Sequence, residues 1–527
     1  MICQTLFGLR AKTVCIGVIL TAALSIASVG GAVETITTPK LVPQYRLNEL
    51  LTRLPTGERW LAHLRDDLLP FWLMDSAIGN PRGDFPTYRC NDGSPIDPAR
   101  LCPEQRYAAS GIVFVYPEQR QYLRALSRQV YAYAVAFHMT GDESFLKLAY
   151  DGINFERTQF FDQKNGGAYS YRTLQNNQWI PGPAPLQRTS QDLAYAATGI
   201  GMVYYLTRDP KLLEDLLALK NYIFRTYFDQ EQQFVTWVRE LSPDGDTPDQ
   251  RELVAQLDQV YAFMLAATPA LPEPYRTEWK NDLARLARTM IQQFYSPRQN
   301  LFWGAATATD TRRLETPHTD FGHSVKTMWM IHLIGRMTGN LDLVEFGWRN
   351  ATALLEQAYI PETGSWGRRP LLDGTIDPDK EWWGLAELDQ VSATFSLIDP
   401  NYAGYLINTY DYWFKYMVDH QNHEIWHMVD GRTNQPYPCG PGAANCFPKQ
   451  HSWKNSLHSF EHCLVGYITA QQFHTQPVTL YYAFVQPPEQ GTVQPYFYTG
   501  HLAKLDPAAV TAPNSRKIYR AAFTNVR

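Results

Sequence analysis

His138-Met139-Thr140-Gly141-Asp142 and Arg336-Met337-Thr338-Gly339-Asn340 each join two apolar helical patterns in the same way. A glycine after the last apolar residue stops a helix, and the Asp or Asn that follows caps the next one. Tyr205-Leu206-Thr207-Arg208-Asp209 joins two such patterns at a third place in the chain. These junctions predict a protein built from repeated helix hairpins.

The inner helix of each hairpin carries a polar residue that recurs about every 65 positions. Two of these helices also share the string Leu-Asp-Gln-Val, at Leu257–Val260 and Leu388–Val391. One hairpin cannot bury its own apolar face and must stack on its neighbours, so six in a row predict a closed ring whose mouth suits a ligand. The recurring residues are Arg128, Gln191, Asp258, His323, Glu387 and His458, at successive spacings of 63, 67, 65, 64 and 71.

Short aromatic stretches lie between the helix pairs, and three of them run into Asp-Gly turns. Aromatic alternation followed by Asp-Gly predicts a β-hairpin, so we expect hairpins on one rim of the ring. From residue 475 to residue 527 the helical pattern stops, and tyrosine-rich strings with several prolines predict a small β-rich C-terminal extension. The aromatic stretches are 167–171, 234–238, 301–304, 364–367 and 425–429.

The composition is that of a well-buried globular protein, with 45% apolar and 13% aromatic residues among 527. The net charge is −5 and no basic stripe is present, which argues against nucleic acid as a partner. Because the repeat is uniform, we predict one large helical domain over residues 45–474. It follows a signal peptide over residues 1–32 and precedes the extension over 475–527.

The N-terminal segment has the layout of a signal peptide. Arg10 and Lys12 precede an apolar run from Val14 to Val29, and Gly30-Gly31-Ala32 provides a small-residue cleavage site. An uncleaved membrane anchor is the alternative, but a run of about 16 residues is short of the ~20 that span a bilayer. The segment predicts an exported, periplasmic or secreted protein with no stable membrane insertion after cleavage.

Two close pairs of cysteines lie in loops rich in Pro and Gly: Cys90 with Cys102, and Cys439 with Cys446. In an exported chain such pairs predict two disulfides. Cys463 lies in an apolar helical pattern, so we expect it to be free and buried.

The string Gly322-His323-Ser324-Val325-Lys326-Thr327-Met328-Trp329 resembles a signature of the N-acylglucosamine 2-epimerase family, which includes cellobiose epimerases and aldose–ketose isomerases. Glu381-Trp382-Trp383-Gly384-Leu385-Ala386-Glu387 resembles the paired Trp and later Glu of that family. Trp453-Lys454-Asn455-Ser456-Leu457-His458 resembles its final Trp-Lys and His, and Arg128 stands where the family keeps an arginine. The resemblance covers most of residues 50 to 470 and implies an all-α fold, an (α/α)6 barrel.

The reaction that the resemblance implies is 2-epimerisation or aldose–ketose isomerisation of a small reducing sugar. The sugar ring opens, a base removes the C2 proton to form an enediolate, and a proton returns to C2 from the opposite face or to C1. Histidine suits this work because its pKa lies near neutrality, and a nearby cation stabilises the enediolate. The resemblance implies His323 and His458 as the base and acid and Arg128 as the cation, with no metal or other cofactor.

The same resemblance implies substrate-binding roles for further residues. Glu387 would bind sugar hydroxyls or orient a histidine. Trp383 and Trp329 would form an apolar wall against a sugar face, for which plain core packing is the alternative reading.

Three positions depart from the family pattern. Lys326 stands where the family usually has a carboxylate, and Glu461 stands where many members have an arginine. We hypothesise that these two residues face each other as a swapped ion pair that holds the histidines. A third histidine, common in cellobiose epimerases, is absent, and Asp258 or Gln259 occupies its region. We place Lys326, Glu461 and Asp258 among the substrate-binding residues.

His423-Glu424-Ile425-Trp426-His427 fits the His-Glu-x-x-His pattern, which on a helix places two histidines on one face for zinc. This stretch aligns with the predicted hairpins instead. In a strand, residues four apart lie roughly 13 Å from each other, too far for one metal ion. The sequence therefore argues against a metalloprotease.

Two alternative functions stay open. An exported carbohydrate lyase or glycoside hydrolase on the same barrel would use paired carboxylates, for which Asp258, Glu387 and Asp389 are candidates. A catalytically inactive sugar-binding relative would be consistent with the two charge reversals.

Overall fold

The inner and outer helices of a barrel alternate along the chain in a computed structural model that describes residues 43, 45–109, 120–306, 313–488 and 491–527. Three π-helical segments, His63–Leu68, Val260–Met264 and Trp413–Met417, continue neighbouring helices. The helices are α1 (Leu47–Arg53), α2 (Gly57–Ala62), α3 (Leu69–Trp72), α4 (Asp75–Ile78), α5 (Pro103–Arg106), α6 (Leu123–Thr140), α7 (Glu143–Gln159), α8 (Ser190–Thr207), α9 (Pro210–Tyr227), α10 (Leu253–Gln259), α11 (Leu265–Ala267), α12 (Tyr275–Phe294), α13 (Phe321–Thr338), α14 (Leu341–Ala358), α15 (Trp382–Ser396), α16 (Ala403–Tyr412) and α17 (Leu457–Phe473).

The inner ring consists of α6, α8, α10–α11, α13, α15 and α17. Each of these helices carries one of the six recurring polar residues, and α17 packs against α6, so the ring is closed. An inner helix such as α8 is buried at nearly every position because it has neighbours on all sides. The predicted all-α (α/α)6 barrel is confirmed.

The outer ring consists of α7, α9, α12, α14 and α16, together with α2–α3 from the start of the described chain. The outer helices α7, α9, α12 and α14 are amphipathic, and each packs one apolar face on the inner ring. The segment α2–α3 packs against α17 and supplies the sixth outer helix. It precedes the first recurring residue, which is why the repeat did not reveal it.

The junctions that predicted the hairpins have the expected geometry. Gly141 and Gly339 end α6 and α13 in the left-handed conformation, with φ of 75° and 71°. Asp142 and Asn340 then cap α7 and α14 by accepting backbone N–H groups. Arg208 takes the left-handed position after α8, with φ of 54°.

Short antiparallel strands decorate the rim, as predicted, but their pairing differs in detail. Most aromatic stretches pair with a short strand that directly follows the preceding outer helix. The turn of each hairpin therefore lies before the aromatic stretch and not after it. Of the three predicted Asp-Gly turns, only Asp430-Gly431 joins two paired strands in the described part of the chain. The strands are β1 (Arg120–Tyr122), β2 (Tyr171–Gln175), β3 (Gln178–Gly182), β4 (Phe228–Asp229), β5 (Phe234–Val235), β6 (Tyr295–Ser296), β7 (Leu301–Phe302), β8 (Tyr359–Ile360), β9 (Ser365–Trp366), β10 (Lys380–Glu381), β11 (Met428–Asp430), β12 (Gln435–Pro436), β13 (Val478–Phe484), β14 (His501–Ala512) and β15 (Arg516–Thr524).

The C-terminal extension contains an antiparallel sheet in the order β13–β15–β14. Its side chains and backbone contact the later turns of the inner helices. The hydroxyl of Tyr482 lies 2.9 Å from that of Tyr205, and the hydroxyl of Tyr498 lies 2.9 Å from Oγ1 of Thr394. The extension therefore covers the end of the barrel at which the inner helices finish.

Both predicted disulfides are present, Cys90–Cys102 with a Cα–Cα distance of 6.1 Å and Cys439–Cys446 with 4.8 Å. Cys463 is free and buried. The predicted signal peptide over residues 1–32 lies outside the described residues. No helix in the described ranges is long and apolar enough to cross a bilayer.

Candidate active site

A cavity of about 700 Å³ opens where the inner helices begin. Five of the six helices contribute one of the recurring polar residues to its wall, while Glu387 lies behind it. The cavity is thus at the opposite end of the barrel from the extension. The predicted site residues that line it are Arg128, Asp258, His323, Lys326, Trp383 and His458.

His323 is held by the residue that caps its helix. Oδ1 of Asp320 accepts the backbone N–H of His323 at 2.7 Å, and Oδ2 lies 2.7 Å from Nδ1 of the ring. Burial by itself would raise the pKa of Asp320, but the charge of His323 and its hydrogen bonds outweigh burial and lower that pKa. An ionised Asp320 favours a proton on Nδ1 of His323.

His458 begins α17 on the other side of the cavity and also has a carboxylate at Nδ1. That nitrogen lies 3.3 Å from Oε1 of Glu387 and 3.4 Å from the hydroxyl of Tyr261. Burial, together with the charges of Lys326 and Arg128, lowers the pKa of His458 well below its ordinary value. His458 is therefore neutral at physiological pH and can accept a proton.

The indole of Trp383 lies near both histidines. Its ring centroid is 4.3 Å from that of His323 and 6.1 Å from that of His458. Because one indole contacts both imidazoles, the two histidines border the same part of the cavity.

Lys326 forms its ion pair with Glu387, with Nζ 3.3 Å from Oε1, rather than with Glu461 as we hypothesised. Its ammonium also lies 3.2 Å from the ring centroid of Tyr261. Burial would lower the pKa of Lys326, but the charge of Glu387, together with those of Tyr195, Asp258 and Glu461, outweighs burial and raises that pKa. Burial raises the pKa of Glu387, and the charge of Lys326 offsets only part of that rise.

Glu387, His458 and Glu461 form a tight buried cluster, in which one oxygen or nitrogen of each lies within 4.8 Å of the others. Carboxylate and imidazole groups at such distances are the kind of donor set that can attract a cation. Here the ammonium of Lys326 contacts this cluster, so a side chain of the protein supplies the positive charge.

Arg128 is anchored but keeps its charge available. Its Nη1 donates to the backbone oxygen of Trp453 at 2.7 Å, and its guanidinium lies 3.9 Å from the ring centroid of Tyr195. Within the described residues no carboxylate forms an ion pair with it. A guanidinium without a carboxylate partner at a cavity wall can stabilise an anion of a bound ligand.

Comparison with known proteins found no family model that matches the chain. A cellobiose 2-epimerase from Bacteroides fragilis is 22% identical over 278 residues, which cover 50% of this chain and 67% of that protein. The cellobiose 2-epimerase from Spirochaeta thermophila has a similar structure, with a TM-score of 0.63 and 17% identity over 81% of this chain and 99% of that one. A D-mannose isomerase has a TM-score of 0.61 and 16% identity, over 78% of this chain and 97% of that one.

At these identities the similarity to the solved structures shows the fold of this chain. The similar proteins are carbohydrate epimerases and isomerases by their names, and their structures share the fold of this chain. The departures from the family pattern can now be located. Lys326, which the sequence resemblance aligns with a carboxylate, lies at the cavity wall. Asp258 of the third inner helix also lines the wall and accepts from Nε2 of Gln191 at 2.7 Å.

Three residues that we assigned to substrate binding from the family pattern do not line the cavity. Trp329 is fully buried, and its ring centroid lies 5.9 Å from that of Phe497 in the extension, so core packing is the correct reading. Glu387 and Glu461 are buried behind the wall, where Glu387 contacts His458 and Glu461 accepts from the hydroxyl of Tyr261. Their positions suit residues that orient others.

The His-Glu-x-x-His stretch is not helical, in agreement with the sequence argument. His423 lies 3.0 Å from the backbone oxygen of Asp66 through Nδ1. Glu424 is buried and accepts from Nε1 of Trp72 and Nζ of Lys454. His427 lines the cavity, which we did not foresee. His423, Glu424 and His427 therefore make separate contacts in different parts of the fold.

Further cavity residues were missed in the sequence. Asp320 stands three positions before His323, and this capping signal was readable. Tyr195 follows Gln191 by about one helical turn and so shares its face, which helical periodicity could have shown. Other lining residues, among them His318, Glu381, Trp382, His427 and Trp453, come from loops and helix starts whose approach to the cavity no local pattern reveals.

Proposed function

We propose that the protein is a sugar 2-epimerase or aldose–ketose isomerase that acts on a small reducing sugar. The observation that carries the proposal is that His323 and His458 line one cavity and that the indole of Trp383 lies near both rings. Epimerisation needs two proton-transfer groups on opposite faces of one carbon, and two imidazoles across a shared pocket meet that need.

In the proposed reaction His458 acts as the base in one direction. It is neutral, and with a proton on Nδ1 its Nε2 takes the C2 proton of the open-chain sugar. The electron pair of the C–H bond moves into the enediolate, whose negative charge lies on oxygen near Arg128 and Lys326. His323, which enters this step with a proton on both ring nitrogens, then delivers its Nε2 proton to the opposite face of C2, or to C1 for isomerisation, and is left neutral.

The neighbouring residues position these groups. Asp320 lies at Nδ1 of His323 and Glu387 lies at Nδ1 of His458, so in each ring Nδ1 keeps its proton and Nε2 is the atom that gains or loses the transferred proton. Trp383 offers its indole to an apolar sugar face, and Asp258 accepts sugar hydroxyls. We expect Arg128 and Lys326 to bind the carbonyl side of the substrate.

The test is a panel of unphosphorylated reducing mono- and disaccharides in deuterated water, followed by NMR. Deuterium at C2 with inversion supports epimerisation, and deuterium at C1 or a new ketose supports isomerisation. Release of new reducing ends or of an unsaturated product would instead support a hydrolase or lyase. Binding without exchange would indicate an inactive relative.

The matched variants are His323→Asn and His458→Asn, with His332→Asn as control. His332 is on the same helix as His323 but faces the backbone of Val344 outside the cavity. We expect turnover to fall by about 10²-fold or more in the first two variants and to persist in the control. Activity retained in either of the first two would refute that histidine's role.

We also propose that the protein works outside the cytoplasm, in the periplasm or the medium. Two disulfides and the predicted signal peptide support this location. Fractionation of cells, with N-terminal sequencing of the exported form, tests it. A protein found only in the cytoplasm with intact residues 1–32 would contradict it.

A further inference from the structure

The C-terminal extension reaches the underside of the active site at Tyr496. Its hydroxyl donates to Oε1 of Glu461 at 2.5 Å, and its backbone N–H donates to the hydroxyl of Tyr205 at 2.8 Å. Tyr496 and Glu461 are both buried. A residue outside the barrel helices thus contacts the carboxylate one turn beyond His458.

The protons of three tyrosines can be assigned around Glu461. Tyr261 donates to Oε2 of Glu461, and Tyr496 donates to Oε1. The hydroxyl of Tyr131 lies 2.7 Å from that of Tyr496. Because Tyr496 gives its only proton to Glu461, Tyr131 must be the donor in that pair. All three hydroxyls therefore point their protons toward an ionised Glu461.

This arrangement constrains His458 through Tyr261. The two rings are stacked, with centroids 6.0 Å apart and planes 8° apart, and the hydroxyl lies 3.4 Å from Nδ1 of His458. Since the hydroxyl proton is given to Glu461, its oxygen can only accept from Nδ1. The neutral imidazole must then carry its proton on Nδ1 and its lone pair on Nε2.

We propose that Glu461 is a positioning residue that selects the tautomer of His458 through Tyr261, and that the C-terminal extension completes this device with Tyr496. The proposal rests on the proposed function in taking His458 as the base. It explains why a carboxylate stands at position 461 and why the extension fills the base of the barrel.

Protonation of Glu461 reverses the direction of the hydrogen bonds that connect Glu461 to His458 through Tyr261. Tyr131 and Tyr496 keep Oε1 as an acceptor, so the added proton resides on Oε2. Glu461 then donates to the oxygen of Tyr261, and Tyr261 turns its own proton toward Nδ1 of His458. Glu387, 3.3 Å from Nδ1, still attracts a proton there, but Lys326 shares that carboxylate oxygen. The proton that Tyr261 now donates therefore shifts the proton of the neutral ring to Nε2, through exchange with water, and the ring loses the lone pair that accepts the substrate proton.

Glu461 changes between its ionised and its protonated form near neutral pH. Burial and the charge of Glu387 raise the pKa of Glu461 to about 7, although the hydrogen bonds from Tyr261 and Tyr496 oppose the rise. The pKa of His458 is well below its ordinary value, so His458 itself does not titrate there. The titratable groups that face Glu461 are Tyr131, Tyr261, Lys326, Glu387, His458, Tyr496 and Tyr498.

The first test measures the rate of C2 proton exchange as a function of pH and looks for the fall in rate on the acid side, the acid limb of the profile. We expect a limb near pH 7 in the wild type and none there in Glu461→Gln, because an amide does not titrate. Tyr496→Phe removes one donor to the carboxylate and should move the limb upward by about one pH unit or more. Tyr482→Phe is the control, since this buried tyrosine of the extension bonds Tyr205 and the oxygen of Gln494 but not Glu461.

The second test needs no substrate, so it stays valid if the proposed function fails. Protein labelled with ¹⁵N-histidine reports the tautomer of His458, whose signals are assigned by their loss in His458→Asn. We expect protonated Nδ1 above pH 7, protonated Nε2 below it, and no such change in Glu461→Gln. A His458 tautomer that does not respond to pH, or that responds equally in Glu461→Gln, would overturn the proposal.

Discussion

Asp320 holds His323 twice, once through the backbone and once through the ring. One carboxylate oxygen accepts the N–H of His323 at 2.7 Å, and the other lies 2.7 Å from Nδ1. The cap that starts α13 is therefore also the group that sets the proton position of the histidine. Local helix chemistry and the proposed catalysis share one side chain.

Asp320→Asn should separate these two roles. The amide oxygen can still cap the helix, but the amide nitrogen would donate to Nδ1 and force the neutral ring into the opposite tautomer. We expect the exchange rate to fall by about 10²- to 10⁴-fold with little change in melting temperature. Asp142→Asn, at the cap of α7, is the control and should keep full rate, and an equal loss there would point to capping alone.

The partner of Lys326 can be identified by two double-mutant cycles on the free energy of unfolding. Lys326→Met leaves Glu387 buried without a cation, which should cost about 3–5 kcal/mol. Combination with Glu387→Gln should restore part of this loss, with a coupling energy of about 0.5–3 kcal/mol. The cycle with Glu461→Gln should give a smaller coupling energy. A larger value there would favour the swapped pair that we hypothesised from the sequence.

The two tryptophans of the family pattern should behave differently. Trp329→Ala removes a fully buried ring and should lower the free energy of unfolding by about 3–5 kcal/mol. Trp383→Ala empties a half-buried position at the cavity and should raise KM for the sugar with a smaller loss of stability. Denaturant unfolding together with steady-state kinetics checks both. A pure KM effect in Trp329→Ala would contradict its place in the core.

Acid should destabilise the protein partly through His138. Burial lowers the pKa of His138 to about 4, and a hydrogen bond to the backbone of Tyr481 offsets only part of that effect. The unfolded chain binds this proton near pH 6.5, so the stability gained from a neutral His138 is lost as pH falls from 6.5 toward 4. In His138→Phe this slope is absent, so the wild type should lose its stability advantage over the variant between pH 7.5 and 5. A difference in melting temperature that stays constant over this range would refute the assignment.

Much of the candidate site was predictable because helical hairpins repeat visibly. The period fixed which residue of each inner helix faces the centre, and the resemblance then selected His323 and His458. Residues one turn further along, such as Tyr261 and Glu461, share those faces and form a second layer under the cavity. Their importance was missed because helical periodicity predicts the direction in which a side chain points but not the residues that it contacts.

The sequence by itself determined the ring of helices, the residues that face its centre, the two disulfides and the β-rich character of the extension. Each of these follows from local chemistry or a short period along the chain. Only the tertiary structure decided that Lys326 pairs with Glu387, that α2–α3 supplies the sixth outer helix, and that Tyr496 touches Glu461. Such contacts depend on the height and rotation of each helix in the closed ring, which the packing of the whole barrel sets.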